Sequence, residues 1–245
     1  MSQPPQFDRT TDDYRLHRPD FSPKLYARLR AAGIGLPGQT ILDCGAGTGL
    51  FSNPLVQASS IVTAVDVGFS LLRHAVAARV VARTEALPFE SESFDVVTAA
   101  QCWHWFDRTL APRETFRVLK PQGILAVIYQ TYIPLPGTTA EQTERLILQH
   151  QPRWRHANST GINGQVLRDV QVAGFREIES FSFDVEINFS RDAWAGFIRT
   201  TSAVGASMSA AQIAAFNQAH ENLLANAPQT FTIPHRVFAV VTKRP

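Results

Sequence analysis

The chain has 245 residues, of which 44% are hydrophobic and 18% are charged, and its formal net charge is +2. This composition suits one large domain with a sizeable core, and the scattered charges argue against nucleic acid or a membrane surface as a partner. No apolar run reaches the length of a signal peptide or membrane span, so we expect a cytoplasmic protein. We also expect a monomer or homodimer whose partner is a small molecule.

The cysteine and histidine content gives no sign of a metal site. The two cysteines, Cys44 and Cys102, fall at or just beyond the ends of expected core strands, where small buried thiols are common. The seven histidines show no ligand-like spacing with cysteines or carboxylates. The sequence therefore predicts neither a metal site nor a disulfide.

The chain begins with a polar and aromatic segment, residues 1–21, that needs another part of the protein to lie on; a disordered leader is the alternative. A helix is predicted next, with Ser22 as its N-cap, Pro23 at its first position and Gly33 at its end. Its apolar face should pack beside the first strand.

Residues 41–51 predict a buried strand, a glycine-rich turn and then a helix. The alternating glycines Gly45, Gly47 and Gly49 let the backbone turn sharply and approach a ligand closely. Asp43, at the strand end, would repel a phosphate but attract an ammonium or hydroxyl group. The spacing also differs from the dinucleotide fingerprint G-x-G-x-x-G. The turn therefore predicts a site for a nucleoside with a cationic tail.

The second strand, residues 61–66, also ends on an acid. In a doubly wound sheet this strand lies beside the first, and its terminal carboxylate can accept hydrogen bonds from both hydroxyls of a ribose. At this point the chain resembles the class I S-adenosylmethionine-dependent methyltransferases. Their pattern of an acid, alternating glycines and a second acid is matched at Asp43, Gly45, Gly47, Gly49 and Asp66.

The resemblance implies a fold and a cofactor. The fold is a doubly wound, seven-stranded, mostly parallel α/β sheet of the Rossmann-like methyltransferase type with helical lid insertions, and the cofactor is S-adenosylmethionine. The N-terminal segment is implied to fold over the cofactor, and residues 84–89 resemble the loop on the adenine side. The implied cofactor-binding residues are Tyr14, Arg18, Asp43, Gly45, Ala46, Gly47, Asp66, Val67, Thr84, Glu85, Ala86 and Gln101.

A fourth strand, residues 93–100, is followed by a run that contains Gln101 and then His-Trp-Phe-Asp. In open α/β sheets ligands bind beyond the carboxyl ends of the strands, here near the first and fourth. The run resembles the methyltransferase type 11 and trans-aconitate methyltransferase-like branch of the family. His104 is a candidate general base, and the alternative is a structural histidine with satisfied hydrogen bonds, wedged between tryptophans. Asp107 is expected to cap the next helix.

Several further elements can be predicted. A helix should cover residues 69–76, and residues 120–123 should form a turn before a fifth strand. The last strand, residues 237–242, should pair antiparallel with the sixth, residues 177–188. Regular pairing should begin only after Pro234, because proline cannot donate a backbone hydrogen bond.

We expect a single methyltransferase domain over residues 1–245. Its core should comprise residues 22–130, 166–189 and 229–245, and two insertions, 131–165 and 190–228, should form a lid. The expected substrate pocket contains Trp103, His104, Trp105, Trp154 and Arg199, with Arg153 and Arg155 as further cationic candidates.

The sequence thus predicts transfer of a methyl group from S-adenosylmethionine to a small molecule, at an oxygen atom. A carboxylate acceptor is already ionised and needs a cationic clamp, whereas a phenol or hydroxyl acceptor needs a base such as His104. Two alternatives remain open. One is a protein that binds S-adenosylmethionine without methyl transfer, and the less favoured one is a nicotinamide oxidoreductase.

Overall fold

The computed structural model describes residues 11–154 and 156–245. The chain divides into two compact units. We call them the sheet unit and the helical unit. The sheet unit comprises Asp20–Gln130, Ile162–Phe183 and Val237–Pro245. The helical unit comprises the described residues up to Pro19, Thr131–Gly161 and Asp184–Arg236. The expected division into a core and a lid stays a prediction.

One sheet of seven strands runs through the fold. The strands are β1 (Thr40–Cys44), β2 (Ile61–Asp66), β3 (Ala78–Val81), β4 (Phe94–Ala100), β5 (Leu119–Tyr132), β6 (Arg176–Ser190) and β7 (Thr230–Lys243). Their order is β3-β2-β1-β4-β5-β7-β6, and β1 to β5 pair in parallel. β7 runs opposite to β5, because the Arg244 N–H just after β7 donates to Gly123 O near the start of β5 at 2.9 Å. The doubly wound, mostly parallel sheet is confirmed.

The helices are α1 (Thr11–His17), α2 (Pro23–Ala31), α3 (Asn53–Gln57), α4 (Phe69–Leu72), α5 (Leu110–Val118), α6 (Thr139–His150), α7 (Gln165–Val172), α8 (Arg191–Arg199) and α9 (Ala210–Ala225). Trp103–Trp105 form a 3-10 turn, and Ser202–Ala206 form a π-helical turn. In the parallel part of the sheet, Asp43 pairs with Ala64 and with Thr98. The residues that follow β1, β2 and β4 therefore meet at one edge, called the carboxyl edge below.

The first helix of the sheet unit begins as the sequence predicts. Ser22 Oγ accepts a hydrogen bond from the Lys24 N–H at 3.2 Å, and Pro23 is the first helical residue, where the missing N–H has no partner to lose. Leu25 and Leu29 are fully buried. Each such side chain contributes about 1.5–3 kcal/mol on burial, which ties α2 to the unit.

The helix expected over residues 69–76 is wrong in length, since α4 ends at Leu72. The Val76 N–H donates instead to Asn53 Oδ1 at 3.0 Å. Ala75 packs closely on Gly49, because a Cβ added to Gly49 would lie 3.0 Å from Ala75. Bonding and packing to the glycine turn therefore end the helix early.

The turn expected at residues 120–123 is a bulge inside β5. Phe94 pairs with Leu119 and Val96 pairs with Ile124, so four residues of β5 oppose a single residue of β4. One of the four, Gln122, has a φ of 64°. A bulge of this kind leaves extra residues unpaired without ending the strand, so β5 begins earlier than the sequence predicts.

The start of β7 also differs from the prediction. Pairing already includes Pro234, whose carbonyl accepts a hydrogen bond from the Ile133 N–H at 2.8 Å. Nearer the start of the strand, the Thr232 hydroxyl donates to Asn188 Oδ1 at 2.7 Å. Proline lacks only the donor, so a position that uses its carbonyl can remain in the ladder.

The core of the helical unit is aromatic. Trp194 is fully buried, and its indole N–H donates to Thr143 Oγ1 at 2.9 Å. The ring centroids of Tyr132, Phe189 and Phe197 lie 5.4, 5.1 and 5.5 Å from Trp194. The helices expected in the two insertions are present in this unit, and their role as a lid stays a prediction.

Candidate functional site

The glycine turn follows β1 at the carboxyl edge. Gly45, Gly47 and Gly49 have φ values of 65°, 54° and 79°, in the region that favours glycine. A Cβ at Gly45 would lie 2.7 Å from Cys102 Cβ, so packing also requires glycine there. A Cβ at Gly47 would meet no atom within 4 Å, so there is space beside its backbone although the residue is buried. The Ala46 N–H donates to the backbone of β2 at 3.0 Å and fixes the turn against that strand.

Asp43 places a buried carboxyl group beneath this turn. Its Oδ1 accepts the Thr98 hydroxyl at 2.7 Å, and its buried Oδ2 forms no hydrogen bond of normal geometry within residues 11–154 and 156–245. Burial raises the pKa of Asp43 to about 7, opposed by the hydroxyls of Thr98 and Ser52 and reinforced by the charge of Asp66. A cationic or hydrogen-bond-donating ligand would therefore stabilise its ionised form.

Asp66 ends the neighbouring strand and is held by backbone amides. Its Oδ2 accepts the Gly47 N–H at 2.9 Å, and its Oδ1 accepts the Gly68 N–H at 2.8 Å. Each carboxylate oxygen can accept more than one hydrogen bond, so this orientation is compatible with a ligand diol. Val67, the next residue, is exposed and adds apolar surface beside the acid.

The loop after β3 is pinned by its polar side chains. The buried Thr84 hydroxyl interacts with the Cys44 thiol, so it faces the end of β1. Glu85 Oε1 accepts the backbone N–H of Asp107 at 2.9 Å. Ala86 is exposed. This arrangement fixes the loop backbone and leaves Ala86 accessible to a ligand.

Gln101 follows β4 with a φ of 61°, a conformation that residues other than glycine rarely adopt. Its backbone N–H donates to β5 at 2.8 Å, and its side-chain amide donates to Gln130 O. The Gln130 side chain in turn accepts the Ser22 N–H and donates to Asp20 O, both at 2.9 Å. Hydrogen bonds thus connect the end of β4 to the chain that enters α2.

The segment that we call the aromatic turn, residues 103–108, is anchored from α7. The Trp103 side chain is buried in the core, and its indole N–H donates to Asp169 Oδ2 at 3.2 Å. Arg108 binds Asp169 Oδ1 through Nε and a terminal nitrogen, at 3.1 and 3.0 Å. Asp107 caps α5 as the sequence predicts, accepting backbone N–H groups at 2.8 and 2.9 Å.

Two of the exposed side chains of the aromatic turn are rings. Trp105 is 41% exposed, and His104 is exposed as well. The His104 ring lies 4.7 Å from the Trp105 ring and 5.9 Å from the Tyr129 ring, measured between centroids. Tyr129 itself is buried, which raises its pKa, and the Asn163 side chain and the His104 backbone approach its hydroxyl. His104 is therefore accessible to a ligand, and its role as a general base stays a prediction.

Two residues expected at the cofactor lie in the helical unit, where they interact with α8. Arg18 Nε donates to Thr200 Oγ1 at 2.8 Å, and a terminal nitrogen donates to Thr200 O at 3.0 Å. The guanidinium lies 4.8 Å from the Tyr14 ring centroid and 5.2 Å from that of Phe197. Aromatic faces and the threonine thus fix the orientation of Arg18.

The cationic candidates for an acceptor clamp differ in their surroundings. Arg199 forms a two-point ion pair with Asp13, at 2.7 and 2.8 Å, so its charge is already compensated. Arg153 is exposed, and Trp154 packs against the core of the helical unit. Arg155 lies outside the described residues.

Sequence reasoning missed Asp169, Tyr129 and Gln130. Asp169 anchors both ends of the aromatic turn, Tyr129 lies under it, and Gln130 connects to Gln101. A lone acid in a helix and two polar residues at a strand end carry no local pattern. Only the fold brings them to the carboxyl edge.

Two features are absent from residues 11–154 and 156–245. No helix there combines the length and the apolar character needed to cross a membrane. Nor do those residues contain a group of three or more histidine, cysteine, aspartate or glutamate side chains placed to hold a metal ion.

Comparison with known proteins identifies the region that contains this edge. Residues 42–127 match a family model described as a methyltransferase domain. The chain is 36% identical over 124 residues to an uncharacterized methyltransferase of Schizosaccharomyces pombe, covering 48% of this chain and 49% of that protein. It is 31% identical over 156 residues to the malonyl-[acyl-carrier protein] O-methyltransferase of Methylococcus capsulatus, covering 59% of this chain and 54% of that protein. The chain spans about half the length of these curated relatives.

Among solved structures, a type II methyltransferase from Anaeromyxobacter dehalogenans matches with a TM-score of 0.66 and 24% identity, covering 93% of this chain and 98% of that chain. At this identity the likeness shows the fold alone. The fold is thus that of the Rossmann-like methyltransferases. Residues 42–127 belong to the class I S-adenosylmethionine-dependent methyltransferase family, as their motifs predict. The narrower resemblance to the trans-aconitate methyltransferase-like branch stays a prediction.

Proposed function

We propose that this protein transfers the methyl group of S-adenosylmethionine to a small-molecule acceptor, at an oxygen atom. The observation that carries the proposal is the pair of acids that end adjacent strands beside the glycine turn. Asp43 offers a buried oxygen without a hydrogen bond of normal geometry to a described residue, Asp66 is oriented by two backbone amides, and Gly47 leaves space for close approach.

The residues present fit such a cofactor. Asp43 would bind its ammonium group, directly or through water, and Asp66 would accept from the ribose hydroxyls. Val67 and the loop at Thr84, Glu85 and Ala86 would contact the base. The remaining proposed cofactor contacts in the sheet unit are Gly45, Ala46 and Gln101. The cofactor contacts expected of Tyr14 and Arg18 stay predictions.

When bound, S-adenosylmethionine supplies a methyl group on a positively charged sulfur. An oxygen nucleophile can bond to the methyl carbon and displace the sulfur. The protein must therefore align the acceptor, exclude water and, where the acceptor is protonated, remove a proton. His104 is an exposed imidazole at the carboxyl end of β4 and is suited to that last task.

Two considerations support oxygen as the methylated atom. The relative from Methylococcus capsulatus is, by its name, an O-methyltransferase. A histidine can remove the proton of a hydroxyl group in the transition state, and an oxygen nucleophile needs this removal if it is not already an anion.

Arg199 is a poor carboxylate clamp, because Asp13 already neutralises its charge.

The test is calorimetry followed by a methyl-transfer assay. S-adenosylmethionine and S-adenosylhomocysteine should bind to the purified protein, and labelled methyl should appear in a small acid, phenol or alcohol. Binding without transfer to any acceptor would favour a regulatory role. Binding of a nicotinamide cofactor instead would contradict the proposal.

A further inference from the structure

The aromatic turn is a rigidly held surface. Asp169 binds the indole N–H of Trp103 at one end of the turn and the guanidinium of Arg108 at the other. The Tyr129 ring lies against His104 between these anchors. A carboxylate that is nearly fully buried and ion-paired fixes both ends, so the exposed rings of the turn have a defined position.

The exposed part of this surface includes two adjacent rings beside the charged side chains of Asp107 and Arg108. Trp105 and His104 stand side by side, with their rings tilted by 45°. Large aromatic side chains are costly to leave in water, and an exposed tryptophan on an anchored turn is typical of a binding surface. Flat ligands are its natural complement, because offset and tilted ring pairs are favourable contacts.

In the part of the chain that the structure describes, two arginines at and beside the turn are already paired with acids. Arg108 pairs with Asp169 at 3.0 Å, and Arg83 pairs with Glu85 at 3.5 Å. Glu85 also accepts the N–H of Asp107 within the turn. A carboxylate acceptor needs a cation that is not already neutralised, whereas a neutral phenol needs a ring surface and a base. The surroundings favour the phenol.

We propose that the aromatic turn is the acceptor platform and that the acceptor is a planar aromatic compound with an ionisable hydroxyl group. This inference rests on the proposed methyltransferase function and chooses between its two oxygen acceptors. The phenol gives its proton to an imidazole nitrogen of His104, and its oxygen bonds to the methyl carbon while the carbon–sulfur bond breaks with its electron pair going to sulfur. The proton is later released from His104 to water.

The first experiment is a matched acceptor panel with the parent protein. Catechol, 8-hydroxyquinoline and 4-hydroxybenzaldehyde represent aromatic hydroxyls; benzoate, cinnamate and tricarballylate represent carboxylates; and cyclohexanol is a hydroxyl without a ring. We expect methyl transfer to at least one aromatic hydroxyl and none to the other four compounds. Transfer to the carboxylates alone, or to no phenol of the panel, overturns the inference.

The second experiment measures binding and turnover of the phenol that reacts best. Trp105→Ala should raise its KM, and its Kd in the presence of S-adenosylhomocysteine, by about tenfold, and Trp105→Phe should restore most of the loss. The KM for S-adenosylmethionine should not change. Leu110→Ala removes a similarly exposed apolar side chain outside the turn and should have no effect.

These results distinguish a failure of the proposed function from a failure of the aromatic acceptor. Failure of the parent to bind S-adenosylmethionine contradicts the proposed function itself. Binding with transfer to an aliphatic acid, or an unchanged phenol KM in Trp105→Ala, contradicts only the aromatic acceptor.

Discussion

The two sides of the carboxyl edge are built in different ways. On the β1 and β2 side, backbone groups define the geometry: the glycine turn has positive φ values, and amides of that turn and of Gly68 orient Asp66. On the β4 and β5 side, side chains from distant segments do so, because Asp169 and Tyr129 hold the aromatic turn. Geometry defined by backbone groups suits recognition of one ligand that does not vary. Where side chains define the geometry, amino-acid substitutions can change which ligand binds.

The largest expected effect concerns the side-chain-built half. If His104 is the general base for a hydroxyl acceptor, His104→Ala should lower kcat by about 10²–10⁴-fold, because proton transfer in the transition state is lost. The pH–rate profile of the parent should show a histidine-like inflection that the variant lacks. His150→Ala, a histidine that packs against Phe216 in the helical unit, should keep the parent profile. A flat parent profile between about pH 6 and 8, with little loss in the variant, would remove His104 from this role.

The next effect tests the backbone-built half. Asp66→Ala should weaken binding of S-adenosylmethionine and S-adenosylhomocysteine by about 1.5–3 kcal/mol, or roughly 10- to 150-fold, because the ribose hydroxyls lose a charged acceptor. Calorimetry measures this directly. Since Asp66 also accepts two backbone amides, Asp66→Asn serves as a second variant that retains one acceptor oxygen. Affinity within about twofold of the parent in both variants contradicts the ribose assignment.

The same contrast explains how much of the molecule could be predicted. Asp43, the glycines and Asp66 lie within 24 consecutive residues of one strand–turn–helix–strand unit, so their spacing alone predicts the geometry. Strand order follows from the family resemblance. The cap at Ser22 and the cap at Asp107 were also predictable, because capping depends on neighbours in sequence.

The rest depends on tertiary contacts that leave no local pattern. The length of α4 is set by the bond from Val76 to Asn53, and the bulge before Ile124 is set by its register against β4. Asp169 reaches Trp103 only because α7 packs against the hydrophobic core of the sheet unit. The pairing of Arg199 with Asp13 likewise joins residues that are far apart in the sequence.

A third effect concerns the buried acid beneath the glycine turn. Burial raises the pKa of Asp43 from 3.8 to about 7, so between about pH 4 and 7 the folded protein holds a proton that the unfolded chain releases. Its contribution to stability is complete below about pH 4 and is lost as pH rises through 7. From pH 5.5 to 8.5 the loss should be about 2 kcal/mol, and Asp43→Asn should lack it.

Thermal unfolding of the ligand-free parent and variant at both pH values measures this effect. The comparison must be a difference between the two proteins, because His220 and His235 act in the opposite direction. Burial lowers the pKa of each to about 4, so they destabilise the fold as pH falls below the unfolded histidine value. Identical pH dependence in parent and variant would contradict the raised pKa of Asp43. In the parent, affinity for S-adenosylmethionine should rise with pH through 7, since its ammonium favours the ionised acid.

The smallest expected effect returns to the anchor of the aromatic turn. Asp169→Asn keeps the size of the side chain, but an amide cannot accept from both the Trp103 indole and the Arg108 guanidinium as the carboxylate does. The turn should become less fixed, which lowers kcat by about tenfold and leaves the KM for S-adenosylmethionine unchanged, because Asp43 and Asp66 lie on the other half of the edge. Hydrogen exchange of the Trp103 indole N–H should become faster and report the loss of the anchor without reference to activity.

The matched control is Asp95→Asn, which removes a carboxylate that binds Lys120 and Thr40 at the amino ends of the strands. That variant should lose stability and keep kcat. If indole exchange accelerates in Asp169→Asn while kcat stays at the parent value, the anchor is structural only, and positioning of His104 does not depend on it.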